Sequence, residues 1–122
     1  LGVGEILLTA IHKEGTGSGF DYTLLKKISN EVKIPVIASG GAGSLKDIKD
    51  VIIKSDVNAV CIASMFHYDL VKKKQFQFSN KSYNEGNTSF LEKNIDGFKG
   101  DLTSIENLKS YLIENKINCR IQ

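Results

Sequence analysis

The sequence predicts an α/β fold assembled from parallel βα units. Three observations carry that expectation. Strand-length apolar runs alternate with amphipathic helical segments in units of about 25 residues. The runs are continuously apolar rather than alternating, the habit of parallel strands buried on both faces. Each unit passes from strand to helix through small and hydroxyl residues. Strand, helix, strand, helix, strand in this order implies right-handed crossovers within one parallel sheet.

Residues 4–11 form the first apolar run, and residues 12–20 a loop rich in Gly, Thr and Ser. Asp21 is placed to cap a helix reaching about Val32, with Leu24, Leu25, Ile28 and Val32 on one face at helical spacing. Pro35 opens a second strand, residues 36–39. Ser44-Leu45-Lys46-Asp47 resembles a capping box with Asp in place of Glu, and its helix carries Leu45, Ile48, Val51 and Ile52 to about Ser55. A third strand covers residues 59–63, and a short helix starts near Ser64. Three βα units thus occupy residues 1–71. Residues 72–100 are rich in Lys, Asn, Ser, Gln and Gly without sustained period, and read as a polar insertion, ordered only in part. Residues 101–122 supply a closing helix and C-terminal segment, with Thr103-Ser104-Ile105-Glu106 as its capping box and Ile105, Leu108, Tyr111 and Leu112 as its apolar face.

Composition narrows the function. At 122 residues, 41% hydrophobic and 25% charged, the chain suits one small globular domain. A net charge of +2 gives no reason to invoke nucleic acid or a membrane surface. No run approaches the roughly 20 apolar residues of a membrane span, and no signal-peptide pattern opens the sequence. Cys61 and Cys119 lie far apart without metal-ligand spacing, so we expect reduced thiols, a cytoplasmic location, no metal and no cofactor. The chain enters an apolar run almost at its first residue, from which we expect a fragment of a longer protein. Three parallel strands leave two open edges, and such a chain is expected to dimerise or aggregate along them.

The stretch Ile34–Ser44, IPVIASGGAGS, ends a buried strand in Ser39, Gly40, Gly41 and Gly43. Ile37-Ala38-Ser39 recurs 25 residues on as Ile62-Ala63-Ser64, again where a strand gives way to a helix. The glycines serve either a tight strand-to-helix turn or the close approach of a ligand. The repeat favours the ligand. Two adjacent strands would present small residues and a hydroxyl at one sheet edge, where backbone N–H groups and helix starts suit a phosphate.

The stretches GVGEILLTAIHKEGTGSGFD, IPVIASGGAGSLKD and AVCIASMFHY resemble the C-terminal half of the cyclase subunit of imidazole glycerol phosphate synthase, the HisF family. The similarity covers residues 2–68 and resumes more weakly over 103–120. It implies that the strands are the sixth to eighth of a (βα)8 TIM-type barrel, whose loops after strands seven and eight commonly bind phosphate. It implies an enzyme of histidine biosynthesis that closes an imidazole ring on a phosphoribosyl-formimino substrate, using ammonia from a glutaminase partner subunit. Carried over by position, the phosphate contacts are Gly15, Ser39, Gly41, Ala63 and Ser64. Thr9 faces the substrate, and Glu14 is a candidate proton-handling or hydrogen-bonding group.

Three departures qualify the resemblance. The family loop Ile-Asp-Arg-Asp-Gly is here Ile11-His12-Lys13-Glu14-Gly15, so Glu14 keeps a carboxylate on a longer stem, and His12 is either a substrate contact or a solvated loop residue. The family's general acid–base aspartates, at the ends of strands one and five, have no counterpart in the chain, so it is expected to be inactive by itself. The 72–100 insertion is foreign to ordinary family members. It leaves open a divergent amidotransferase partner in surface-polysaccharide sugar biosynthesis, and a non-catalytic half barrel that binds a phosphorylated ligand. His67 is read as packing or loop support.

Overall fold

The computed structural model describes residues 2–75 and 98–120. Three strands, β1 (Ile6–Thr9), β2 (Val36–Ser39) and β3 (Ala59–Cys61), form one parallel sheet in sequence order, which puts β1 and β3 at its two edges. Ile6 pairs with Val36 and Thr9 with Ser39, while Ile37 pairs with Ala59 and Ser39 with Cys61. Ladder-like bonds continue past the strand ends: Ala10 N–H donates to the Ser39 carbonyl at 3.1 Å, and Asn58 both donates to and accepts from the Val36 backbone at 2.9 and 3.0 Å.

The helices are α1 (Tyr22–Glu31), α2 (Leu45–Lys54), α3 (Ser64–Gln75) and α4 (Ile105–Glu114). Asp21 caps α1 by accepting from Leu24 N–H at 2.9 Å, and Ser44 caps α2 by accepting from Asp47 N–H at 3.1 Å. The cap of α4 lies one residue later than the expected box. Ser104, not Thr103, accepts from Asn107 N–H at 3.2 Å, and Thr103 is buried. Glu106 therefore sits in the first turn, where its own backbone N–H and then the Ser104 hydroxyl hold its carboxyl below the usual range. The α4 helix ends in paired bonds from Lys116 N–H to Ile113 and from Ile117 N–H to Leu112, with Lys116 left-handed at φ 61°.

One sheet face builds the core. Val36 and Ala38 are fully covered and join Leu25, Ile48, Val51, Met65, Leu108 and Leu112 in one apolar cluster, with Leu8 and Val60 packed against it. The expectation of strands buried on both faces is corrected by the other face. There Leu7 is 58% exposed, Thr9, Ala59 and Cys61 are exposed, and Ile37 and Ser39 are half-buried. The described helices contribute their apolar stripes to the same cluster, so alternate strand residues find no partner. Ile105, expected on the apolar face of α4, is 51% exposed for the related reason that it precedes the turn carrying Leu108.

Two further expectations shift. The loop after β1 opens with a short 3₁₀ turn, Ile11–Lys13. The third strand stops at Cys61, and the helix after it runs twelve residues to Gln75, so the first residues of the expected insertion continue α3. Residues 76–97 of that insertion lie outside the described residues.

Candidate functional site

The C-terminal ends of the strands open onto a cavity of about 80 Å³, space for several waters. Its walls come from three places: Glu14 and Gly15 from the loop after β1, Ser39 to Ala42 from the end of β2 and its glycine turn, and Cys61 to Ser64 from β3 into α3. Six of the seven site residues predicted from sequence, Glu14, Gly15, Ser39, Gly41, Ala63 and Ser64, thus share one cavity. The seventh, Thr9, is not in its wall. It pairs with Ser39 in register but stands exposed on the open face of the sheet. Gly40, Ala42, Cys61 and Ile62 line the cavity without having been singled out as contacts; their signal was adjacency to the repeated tripeptide.

The two copies of that tripeptide reach the same edge of the sheet, as expected, but they are not equivalent. Ser39 is the last strand residue and pairs with Cys61, so Ser64 lies three residues beyond its level. The first copy needs Gly40 to Ser44 before its helix begins, whereas the second enters α3 at once. The hydroxyls converge on the cavity from a strand end and from a helix start.

The glycines have a reason besides a ligand. Gly40 and Gly41 are left-handed, at φ 88° and 101°. A Cβ on Gly40 would lie 2.9 Å from the Ala10 carbonyl oxygen and 3.0 Å from Glu14 Oε2, and one on Gly41 would overlap the Gly19 carbonyl. Gly19 N–H also donates to the Gly41 carbonyl at 2.7 Å. Much of the room left by these glycines is therefore occupied by the neighbouring loop.

The start of α3 differs from the other helix starts. The Ala63 carbonyl accepts from His67 N–H at 2.9 Å, which places Ala63 in the N-cap position. Asp21, Ser44 and Ser104 offer a side-chain oxygen to their first turns, but alanine has none. This first turn borders the cavity, and its N–H groups form the positive end of the helix dipole. Among the described residues the lining holds no Lys or Arg, and its one carboxylate is Glu14. His12 lies elsewhere, 64% exposed, with Nε2 3.5 Å from Asp21 Oδ2 at the start of α1. His67 is exposed and meets the Tyr68 ring edge-on at 5.4 Å. No cluster of three or more His, Cys, Asp or Glu able to hold a metal occurs among the described residues. No helix among them is long and apolar enough to cross a membrane.

A parallel βα sheet with a small cavity of hydroxyl, glycine and helix-start groups at its strand ends defines an α/β protein with its site where such folds place ligands. Residues 1–72 match the histidine biosynthesis protein family, and the chain belongs to that family. Its relatives include the imidazole glycerol phosphate synthase subunit HisF of Nitrosopumilus maritimus, 45% identical over 95 residues, which are 78% of this chain and 32% of that protein. The HisF subunit of Alkaliphilus metalliredigens is 54% identical over 71 residues, 58% of this chain and 28% of the relative. That of Lactococcus lactis subsp. cremoris is 52% identical over 68 residues, 56% of this chain and 26% of the relative. The matched stretch thus spans a third or less of these relatives' lengths.

Proposed function

We propose that this chain forms strands six to eight of a HisF-type barrel, with β1, β2 and β3 in those places, and that its cavity holds a phosphate of the cyclase substrate. The observation that carries the reading is the convergence of Ser39, Gly41, Ser64 and the α3 start, whose N-cap residue is alanine, on one cavity. A phosphate there is held by neutral donors: backbone N–H groups and two hydroxyls, aided by the helix dipole. Glu14, as the one carboxylate in the wall, repels a phosphate that comes too close. Its place in the reaction is to accept a hydrogen bond from a hydroxyl on the part of the substrate beside the phosphate.

The open sheet face fits the same reading. In a closed barrel, residues at the Leu7, Thr9, Ile37, Ser39, Ala59 and Cys61 positions point inward, where side-chain layers from the remaining strands meet them. The strand-end residues here are Thr9, Ser39 and Cys61, and none is a carboxylate. The general acid and base of the ring closure are then supplied by strands outside this sequence, and ammonia by a glutaminase partner.

The test is reconstitution. The chain is assayed for ring closure with ammonia and the phosphoribosyl-formimino substrate, alone and with a polypeptide carrying strands one to five of a HisF relative. The expected result is no product from the chain alone and product from the pair. Turnover by the chain alone, or none by a pair that demonstrably associates, overturns the reading.

A further inference from the structure

The cavity walls are tied together by a segment that does not itself line the cavity. Residues 98–101, which lead into α4, bond to both site loops. Lys99 N–H donates to the Thr16 carbonyl at 3.0 Å, and Asp101 N–H donates to the Gly43 carbonyl at 2.6 Å. Thr16 directly follows Gly15, and Gly43 directly follows Ala42; Gly15 and Ala42 are the last cavity-lining residues of their loops. The third wall is reached as well, because the Phe98 ring lies 5.3 Å from that of Tyr68, one turn into α3 from Ser64.

The contact is made backbone to backbone, and three glycines make it possible. A Cβ on Gly17 would overlap the Gly100 amide nitrogen, and one on Gly43 would overlap the Gly17 carbonyl. A Cβ on Gly100 would stand 2.5 Å from Phe98 Cζ, 2.7 Å from Gly43 Cα and 2.8 Å from the Gly43 oxygen. The Phe98 ring can rotate away; the Gly43 backbone is held by its bond to Asp101.

We propose that residues 98–101 are a positioning strap for the anion cavity: Phe98 and Gly100 set the spacing of its three walls, and through it the affinity for a phosphate group, without touching the ligand. The proposal rests on the phosphate reading of the cavity. Its physical basis is that several weak neutral donors bind an anion well only when all converge, so a displacement of order 1 Å in one wall is expensive. Gly100 lies outside the left-handed region, so Gly100→Ala tests the close approach without adding backbone strain.

The experiment titrates the protein with inorganic phosphate, following the amide resonances of Gly41 and Ser64, at a temperature where each variant gives a folded circular dichroism spectrum. The unaltered protein is expected to show saturable shifts. Gly100→Ala is expected to weaken binding about tenfold and to speed hydrogen exchange of the Gly19 amide, which bonds to Gly41 across the two loops. Phe98→Ala removes the ring contact with α3 together with the ring's packing against the core, while leaving the backbone bonds of the segment in place; it is expected to weaken binding about threefold, and it stands in for Gly100→Ala if that variant does not fold. A purely structural strap lowers the melting temperature of both variants but leaves their phosphate affinity unchanged, and that result overturns the proposal. If the unaltered protein shows no saturable shift, the phosphate reading fails first and the strap's role with it.

Discussion

The two faces of the three-stranded sheet share strands and hydrogen bonds, yet they do different work. On one, Val36 and Ala38 are sealed beneath Leu25, Ile48, Val51, Leu108 and Leu112. On the other, Leu7, Thr9, Ala59 and Cys61 stand exposed. The pleat alternates side chains with a period of two, so neighbouring residues of one strand belong to different energetic regimes. The covered face holds the fold together. The C-terminal rim of the sheet carries the cavity, and the open face is where the proposed barrel would close.

The largest expected effect separates the faces by stability. Ile48→Ala, in the sealed cluster, is expected to cost about 2–5 kcal/mol in denaturant unfolding, through lost burial and the void left behind. Leu7→Ser, on the open face, is expected to stay within about 0.5 kcal/mol. Equal losses would mean that the open face is covered in solution, by self-association for instance, and light scattering on the same samples would show it.

A second comparison concerns ligand rather than stability. Ser39→Asp places a carboxylate in the small cavity beside the α3 start, where charge repulsion and bulk are expected to abolish phosphate binding while unfolding changes little. Retained phosphate affinity in a titration would remove Ser39 from the site. The smallest expected effect lies far from both faces. Lys116 is a left-handed residue in the turn that ends α4, so Lys116→Gly is expected to stabilise the protein by less than about 1 kcal/mol, read as a small rise in melting temperature.

Much of this molecule is legible in its sequence because much of it is local. Asp21 and Ser44 announce helix starts through side chains that reach only three residues ahead, and both caps form. The stripes on α1 and α2 announce their buried sides in the same way. The box at Thr103 misled by one residue because two adjacent hydroxyl residues compete for the cap, and burial of Thr103 left the position to Ser104. The two copies of the repeated tripeptide lie in two walls of one cavity. The repeat did not reveal that its copies enter at different levels, since that follows from the Ser39–Cys61 register and the immediate start of α3.

The sequence by itself determined the order of strands and helices, the caps and stripes of α1 and α2, and the segments that meet at the cavity, because each depends on spacing within a few residues or on a motif. Tertiary structure alone decided which sheet face was sealed, that Thr9 stands outside the cavity, and that Gly17, Gly43 and Gly100 meet. Those outcomes depend on segments distant in the chain arriving within a few ångströms of one another. A glycine is written identically whether its missing side chain makes room for a ligand, a turn or a second backbone, and only the partner that arrives distinguishes them.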